Sequence, residues 1–293
     1  MKIGIPRSLS YYYFSDLWIN FFEYLKIDVV ISPETNKEIL DLGLKYSTDE
    51  MCLSLKNYIG HVAYLKDKCD YIIIPRIDNY GIDNQTCTNF LAIYEIINNI
   101  FDINLLDYNI NLRNKETELK GFISIGKKLG IKKEHIKDAY LYAKVKSSKV
   151  RKEKILNNLR KLKSNKKKIL LVSHSYNTYD KLIGIPIIDM LKDLNVEIIY
   201  SDLFFYKDES KKYTKELYWK YSKESISSIS KCIDKIDGII FLSSFPCGLD
   251  SLVNELVIRK LDKPYINIVI DDNSISGGIE TRIESFIDII NYS

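Results

Sequence analysis

The sequence predicts an α/β fold built on parallel sheets. Short apolar runs alternate with longer segments of helical periodicity in both halves of the chain, and this order is typical of parallel strands joined by covering helices. The run Tyr71–Pro75 is apolar throughout, as expected of a strand that is buried on both faces. With 293 residues, the chain is long enough for two such domains.

Residues 1–111 are predicted to be the N-terminal α/β domain. Strands are expected at the short apolar runs, and helices where apolar residues recur every three or four positions behind a capping residue. In order, the predicted elements are the strand Lys2–Pro6, the helix Ser8–Leu25, the strand Asp28–Ser32, a helix capped by Pro33–Asn36 that runs to about Leu44, a helix that follows Cys52 and runs through Tyr64, the strand Tyr71–Pro75, the loop Arg76–Asn89 and helical sequence from Phe90.

Residues 112–164 are predicted to be a helical connector with a break at Gly130, and residues 165–293 the C-terminal α/β domain. The same strand and helix patterns repeat there. In order, the predicted elements are the strand Lys168–Ser173, the helix Lys181–Leu194, the strand Glu197–Ser201, the helix Tyr213–Lys235, the strand Gly238–Ser243, the helix Asp250–Leu261, the strand Tyr265–Ile270 and the helix Ile279–Ile290.

The net charge of +4 conceals a strongly basic segment. Lys144–Lys168 carries a net charge of +11, which leaves −7 on the rest of the chain. Such a run is compatible with nucleic-acid binding, but the acidic remainder would repel phosphate, so a solvated helix and linker is the favoured interpretation. A partial apolar stripe supports a packed helix here: Val145, Ile155, Leu156, Leu159 and Leu162.

The sequence disfavours several classes of protein. No segment reaches the roughly 18 apolar residues of a membrane helix, and Met1–Pro6 lacks the apolar run of a secretory signal. We therefore expect a cytoplasmic protein without a membrane partner, in which cysteines are thiols, metal ligands or nucleophiles rather than disulfides. Neither a GxGxxG nor a Walker A pattern occurs, so dinucleotide or ATP binding is not indicated.

Three of the five cysteines lie in loops that lead into predicted helices. They are Cys52, Cys87 and Cys247. A helix N-terminus favours the thiolate that a metal needs, and soft thiolates select zinc or iron–sulfur clusters. The other two are expected to be bystanders: Cys232 shares an apolar helix face with Ile229 and Ile236, and Cys69 precedes a strand in a turn-like stretch.

The three cysteines are expected to converge on a cleft between the two domains, because ligands of open α/β sheets bind beyond the carboxyl ends of the strands. Their spacing alone leaves the metal open. The chain has no Cys-x-x-Cys pair, so neither a zinc ribbon nor a ferredoxin-type cluster is indicated.

The histidines and one loop supply further candidates. His61 is interpreted as a helix-surface or interdomain residue, His135 as solvent-facing, and His174 as a strand-end residue with a role in binding. No Ser-His-Asp or Cys-His arrangement is defined by the sequence, and no catalytic residue is assigned. The loop Asp271–Gly278 is either an anion cradle formed by backbone N–H groups or a plain turn before the last helix.

Several segments together resemble the 2-hydroxyacyl-CoA dehydratase component family, in particular its activase-associated branch, with a relation to double-cubane cluster proteins. The segments are spread over nearly the whole chain: Met1–Arg7, Pro33–Leu40, Asp49–Cys52, Gly60–Val62, Tyr71–Arg76, Leu242–Ser251 and Thr281–Phe286. The chain departs from related sequences at Asp272 and Asn273, where those carry a Glu-His pair, and at Ser276, where those carry a second acid.

The resemblance implies two Rossmann-like (flavodoxin-like) parallel-sheet domains that face each other across a cleft and are joined by a helical segment. It also implies a 4Fe-4S or double-cubane-type iron–sulfur cluster, which Cys52, Cys87 and Cys247 would hold here. The implied partner is an ATP-dependent activator protein that carries its own cluster, with an acyl-CoA as substrate and a homo- or heterodimer as assembly.

Two hypotheses for the function follow from the resemblance. In the first, the chain transfers an electron at low potential to a CoA thioester or a small molecule, as a radical 2-hydroxyacyl-CoA dehydratase-type lyase or a double-cubane-type reductase. In the second, it is a non-catalytic electron relay or partner subunit of a separate activase or dehydratase. A nucleic-acid-binding protein that uses Lys144–Lys168 is the alternative from another class.

Overall fold

The computed structural model describes residues 1–272 and 278–292. The chain divides into two compact units, Met1–Arg151 and Lys152–Ser293, and the boundary falls inside one long helix, Lys133–Lys161. Among the described residues, no helix combines the length and apolar character that crossing a membrane requires.

The first unit is a parallel four-stranded sheet with flanking helices. The strand order is β2-β1-β3-β4, and all pairs are parallel. Its elements are β1 (Lys2–Ile5), α1 (Tyr11–Tyr24), β2 (Asp28–Ile31), α2 (Lys37–Tyr46), α3 (Leu53–Leu65), β3 (Tyr71–Asn79), α4 (Thr88–Ile100), β4 (Leu105–Asn111), α5 (Glu118–Lys128) and the start of α6 (Lys133–Lys161).

The second unit repeats this plan with the order β6-β5-β7-β8, again fully parallel. Its elements are β5 (Lys168–Val172), α7 (Ser175–Thr178), α8 (Ile185–Asp193), β6 (Glu197–Tyr200), α9 (Lys220–Cys232), β7 (Gly238–Ser244), α10 (Gly248–Ile258), β8 (Tyr265–Ile270) and α11 (Ile279–Tyr292). The predicted α/β class with two parallel-sheet units is confirmed.

The cores explain why each sheet is covered by helices. In the first unit, Trp18 of α1 and Tyr108 of β4 pack edge to face, and Phe21 and Phe122 approach to 4.3 Å between ring centroids. In the second unit, β7 is buried along its whole length. Burial of this apolar surface is the main favourable term in folding.

One strand was missed, and two predicted boundaries differ from the structure. Strand β4 was missed, although its apolar residues alternate with polar ones, as is typical of a half-buried strand at a sheet edge. The predicted loop from Arg76 begins too early, since β3 continues to Asn79 in register with β4. Helix α9 begins at Lys220 rather than Tyr213, because Tyr213 and Leu217 pack against the core without helical backbone.

The basic segment is a helix followed by a short link to β5. Most of its Lys and Arg side chains are exposed, while Ile155 is buried and Leu159 and Leu162 pack on the core of the second unit. Val145 is 72% and Leu156 is 38% exposed, so the apolar stripe is limited to Ile155, Leu159 and Leu162. The segment therefore packs through its C-terminal part and presents its charge to solvent.

Candidate functional site

Each of the three candidate cysteines is the N-cap residue of a helix. Cys52 caps α3, Cys87 caps α4 and Cys247 caps α10, all with extended backbone. Their carbonyl oxygens accept the first helical hydrogen bonds, so the side chains lie beside the N–H groups of the first turn, where the helix dipole favours negative charge. All three thiols are partly exposed.

In the first unit, the loops of Cys52 and Cys87 are linked by Asn89. The Asn89 Nδ2 group, in the first turn of α4, donates a hydrogen bond to Cys52 Sγ at 3.7 Å. The link connects the start of α3 with the start of α4. In the sequence, Asn89 is distinguished only as an amide side chain two residues after the candidate ligand Cys87.

The loop before Cys87 is held to the ends of β3 and β4 by a polar network. Asn111 Nδ2 donates to Asp78 Oδ2 at 2.7 Å, and Asn79 Nδ2 donates to Asn111 Oδ1 at 2.9 Å. Thr86 Oγ1 donates to the carbonyl of Ile77, and Thr86 N donates to that of Asp78. These bonds fix the approach of the chain to the N-cap of α4.

In the second unit, Cys247 lies in the loop between β7 and α10. The backbone N–H of Asp250 donates to Cys247 Sγ at 3.5 Å, and Cys247 N donates to the carbonyl of Ser244. The sulfur therefore takes part in capping its own helix. Hydrogen bonds of this kind stabilise negative charge on sulfur.

The two remaining cysteines, Cys69 and Cys232, differ chemically from the three candidate ligands. Burial raises the pKa of the Cys232 thiol to about 12 and that of the Cys69 thiol to about 11. Each thiol donates to the carbonyl of the residue four positions earlier: Cys232 to Ser228 within α9, and Cys69 to Leu65, the last residue of α3. Both stay protonated at neutral pH, as expected of bystanders.

The chemical type of the donors, free thiols, fits a metal group that is bound by thiolates. All five cysteines are thiols, and the three candidates share the N-cap position. Within residues 1–272 and 278–292, however, no three or more His, Cys, Asp and Glu side chains are grouped so that they could hold a metal ion. The convergence of Cys247 with Cys52 and Cys87 stays a prediction.

His174 forms a buried hydrogen-bonded pair with Asp250 that the sequence did not reveal. Its Nε2 lies 2.8 Å from Asp250 Oδ1, and both side chains are about nine-tenths buried. Burial lowers the pKa of His174, but the charge and hydrogen bond of Asp250, with the charges of Glu224 and Asp202, outweigh it and raise the pKa above its ordinary value. The ring stacks on Tyr176 at 5.0 Å between centroids.

His61 is not on the surface. It belongs to α3 and is fully buried, and its Nε2 lies 3.1 Å from Thr35 Oγ1. Burial, and then the charge of Arg7, lowers the pKa of His61 to about 3. The helix-surface interpretation was therefore wrong, whereas His135 is exposed as expected. The candidate anion loop Asp271–Gly278, with Asn273 and Ser276, lies largely outside the described residues.

Comparison with known proteins gives one informative result. A family model described as "CoA enzyme activase uncharacterised domain (DUF2229)" matches residues 2–204. This range includes Cys52, Cys87 and His174, and it ends before Cys247 and Asp250. No curated protein matches the chain.

Solved structures give only weak similarity. ZnuA is 10% identical over 99% of this chain and 98% of its own, with a TM-score of 0.31. An NtrC family transcriptional regulator from Clostridium acetobutylicum is 12% identical over 100% and 97%, with a TM-score of 0.21. A periplasmic solute-binding protein of an ABC transporter from Actinobacillus succinogenes, with bound D-allose, is 12% identical over 100% and 92%, with a TM-score of 0.24. Similarity at these TM-scores carries no functional information.

Proposed function

The chain belongs to the family described as CoA enzyme activase uncharacterised domain, and we propose that it is an iron–sulfur protein of low-potential electron transfer. In this proposal Cys52, Cys87 and Cys247 hold the cluster, which is of the 4Fe-4S or double-cubane type. The electron acceptor is a CoA thioester or a small molecule. The proposed partner is an ATP-dependent activator protein with its own cluster.

The observation that carries this proposal is the shared placement of the three thiols. Each is a partly exposed N-cap of a helix that follows a strand or a polar loop. Helix N-termini favour the thiolate, which is the form that binds metal. The two cysteines outside this pattern have raised pKa values and donate to helix carbonyls.

The chain's own groups support thiolate ligands at two of the three positions. A bound iron–sulfur cluster supplies one-electron transfer, at a potential that depends on hydrogen bonds to its sulfurs and on solvent exposure. The Asn89 amide donates to Cys52 Sγ, and the Asp250 N–H donates to Cys247 Sγ. Both donors stabilise negative charge on sulfur, so they favour metal binding by these cysteines and a higher potential.

A second candidate function is favoured by the family description itself. That description names an activase, a protein that acts on another enzyme, rather than a dehydratase. In this version the chain is a non-catalytic electron relay or partner subunit, with the same three cysteines and no acyl-CoA chemistry of its own.

Iron and acid-labile sulfide content after strictly anaerobic purification tests the cluster. Serine variants of Cys52, Cys87 and Cys247 should each lose most of the iron, because three thiolates are already a minimal ligand set. Cys69→Ser and Cys232→Ser are matched controls, since serine keeps a donor for the Leu65 and Ser228 carbonyls. Equal iron loss in all five variants, or no iron in the parent protein, would reject the assignment.

Turnover separates the two versions of the proposal. The anaerobically purified chain is reduced and mixed with a 2-hydroxyacyl-CoA, first alone and then with an ATP-dependent activator. Product formation by the chain without another catalytic subunit supports the first version. Iron-dependent electron transfer without any product supports the relay.

A further inference from the structure

The loop of Cys247 has a buried support that lies outside the three-cysteine set. Asp250 is in the first turn of α10, whose N-cap is Cys247, and its backbone N–H donates to Cys247 Sγ at 3.5 Å. The Asp250 carboxylate makes a different contact, since its Oδ1 lies 2.8 Å from His174 Nε2. One residue therefore contacts Cys247 through its backbone and His174 through its side chain.

The carboxylate of Asp250 is not used in the way that is common at this position. An acceptor side chain at the third position of a helix often bonds to the backbone N–H of the N-cap residue, which completes a capping box. Here the Cys247 N–H donates to the carbonyl of Ser244 instead. The carboxylate is therefore available to a group outside the helix, and His174, just after β5, supplies that group.

The ring of His174 is held in place by its own surroundings. The residue is the N-cap of α7, and its carbonyl accepts backbone hydrogen bonds from that helix. The ring stacks on Tyr176 at 5.0 Å and meets Tyr221 nearly at a right angle at 6.3 Å between centroids. Nε2 is therefore presented to Asp250 from a well-packed position.

The hydrogen bond between the two side chains has a definite direction. An ionised carboxylate only accepts hydrogen bonds, so Nε2 donates to Asp250 Oδ1 whether the ring is neutral or charged. His174 Nδ1 is buried and makes no hydrogen bond within the described part of the chain. Nε2 is thus the ring atom through which His174 acts on Asp250.

Stability alone does not account for a pair in this place. Both residues are 7% exposed, and the cost of removing two ionisable groups from water often matches or exceeds their mutual attraction. The pair does have a geometric consequence, because it joins the loop after β5 to the first turn of α10, which Cys247 caps.

We propose that His174 is a positioning residue for Cys247: its Nε2–H holds the Asp250 carboxylate, and this keeps the Asp250 backbone N–H on Cys247 Sγ. A fixed N–H donor stabilises negative charge on the sulfur, so the support favours the thiolate form. The inference rests on the proposed function only in taking Cys247 as a metal ligand, and the contact itself does not require iron.

Hydrogen–deuterium exchange of single amides tests the proposal on the full chain, by mass spectrometry with fragmentation to residue level. His174 is replaced by glutamine, whose amide nitrogen lies as many bonds from Cα as Nε2 does, and by asparagine, whose amide nitrogen reaches only as far as Nδ1. His174→Gln should keep the protection of the Asp250 N–H. His174→Asn should raise its exchange rate about tenfold, the usual effect of one hydrogen bond.

The backbone N–H of Ser251 is the internal control, because it donates to the Cys247 carbonyl at the start of the same helix and reports fraying of α10 as a whole. Its exchange should change little in either variant. Unchanged exchange of the Asp250 N–H in His174→Asn, equal increases in both variants, or an equal increase at Ser251 would each overturn the proposal.

The iron content of the same variants separates this inference from the proposed function. If the parent protein holds iron, His174→Asn should hold less than His174→Gln. Equal iron in the two variants would overturn the positioning role and leave the proposed function standing. A parent protein without iron would reject the proposed function, and the exchange rates alone would then decide this inference.

Discussion

Replacing Gly60 by alanine tests the packing that fixes the start of α3 and so the position of Cys52. Gly43 of α2 and Gly60 of α3 lie where these two helices meet backbone to backbone. A Cβ atom on Gly60 would lie well under 3.0 Å from the carbonyl oxygen of Ile39, closer than real Cβ atoms approach. A backbone carbonyl cannot relieve the clash by changing rotamer as a side chain can, so α2 and α3 must move apart.

The expected loss of stability follows from two opposing terms. Overpacking of a close contact costs about 1–3 kcal/mol, and a backbone contact belongs at the upper end, about 3 kcal/mol. Alanine returns about 1 kcal/mol of helix propensity relative to glycine. The net loss is about 2 kcal/mol, which lowers the melting temperature of a unit of this size by about 4–8 °C.

Thermal unfolding followed by circular dichroism measures this effect, with Gly248→Ala as the matched control. Gly248 opens α10 directly after Cys247, and an added Cβ there meets no atom within 4 Å. We expect no loss of stability in this variant. A Gly60→Ala protein that melts with the parent, or a Gly248→Ala protein that falls as far, would refute the reasoning.

Three further predictions concern titration and charge. Burial lowers the pKa of His61 to about 3, so its contribution to the free energy of unfolding is complete above pH 6.5, the ordinary pKa of the unfolded chain. Below pH 6.5 the free energy of unfolding should fall by about 1.4 kcal/mol per pH unit, because the unfolded state binds a proton that the folded state does not. Urea unfolding between pH 7 and 4 should show this slope, and His61→Gln should remove it. Asp250→Asn should lower the pKa of His174, since the Asp250 carboxylate is the main group that raises it. In the parent protein the contribution of His174 to stability is complete below pH 6.5 and is lost as the pH rises through its raised pKa, and the variant should lack this contribution. NMR titration measures the pKa, and urea unfolding at several pH values measures the stability. The segment Lys144–Lys168 should bind duplex DNA only weakly at low salt and release it at physiological salt; tight, sequence-selective binding in a filter or fluorescence assay at physiological salt would restore the nucleic-acid hypothesis.

The elements that the sequence predicted correctly are those with a strong local signal. The run at Tyr71–Pro75 lies inside β3, and the apolar face with Ile229 and Ile236 correctly placed Cys232 in the core, where it is 2% exposed. The alternation of apolar and polar residues in the edge strand β4 is a local strand signal that was missed. Leu217, in contrast, is buried without being helical, and no periodicity indicates this.

The sequence by itself determined the alternation of strands and helices and the position of three cysteines at helix starts, because both depend on residues close together in the chain. Only the tertiary structure decided which strand ends meet. His174 and Asp250 are 76 positions apart, and they pair because β5 and β7 are neighbours in the sheet. Likewise, His61 contacts Thr35, which lies 26 positions earlier in the chain, and a pattern confined to one helix contains no information about that contact.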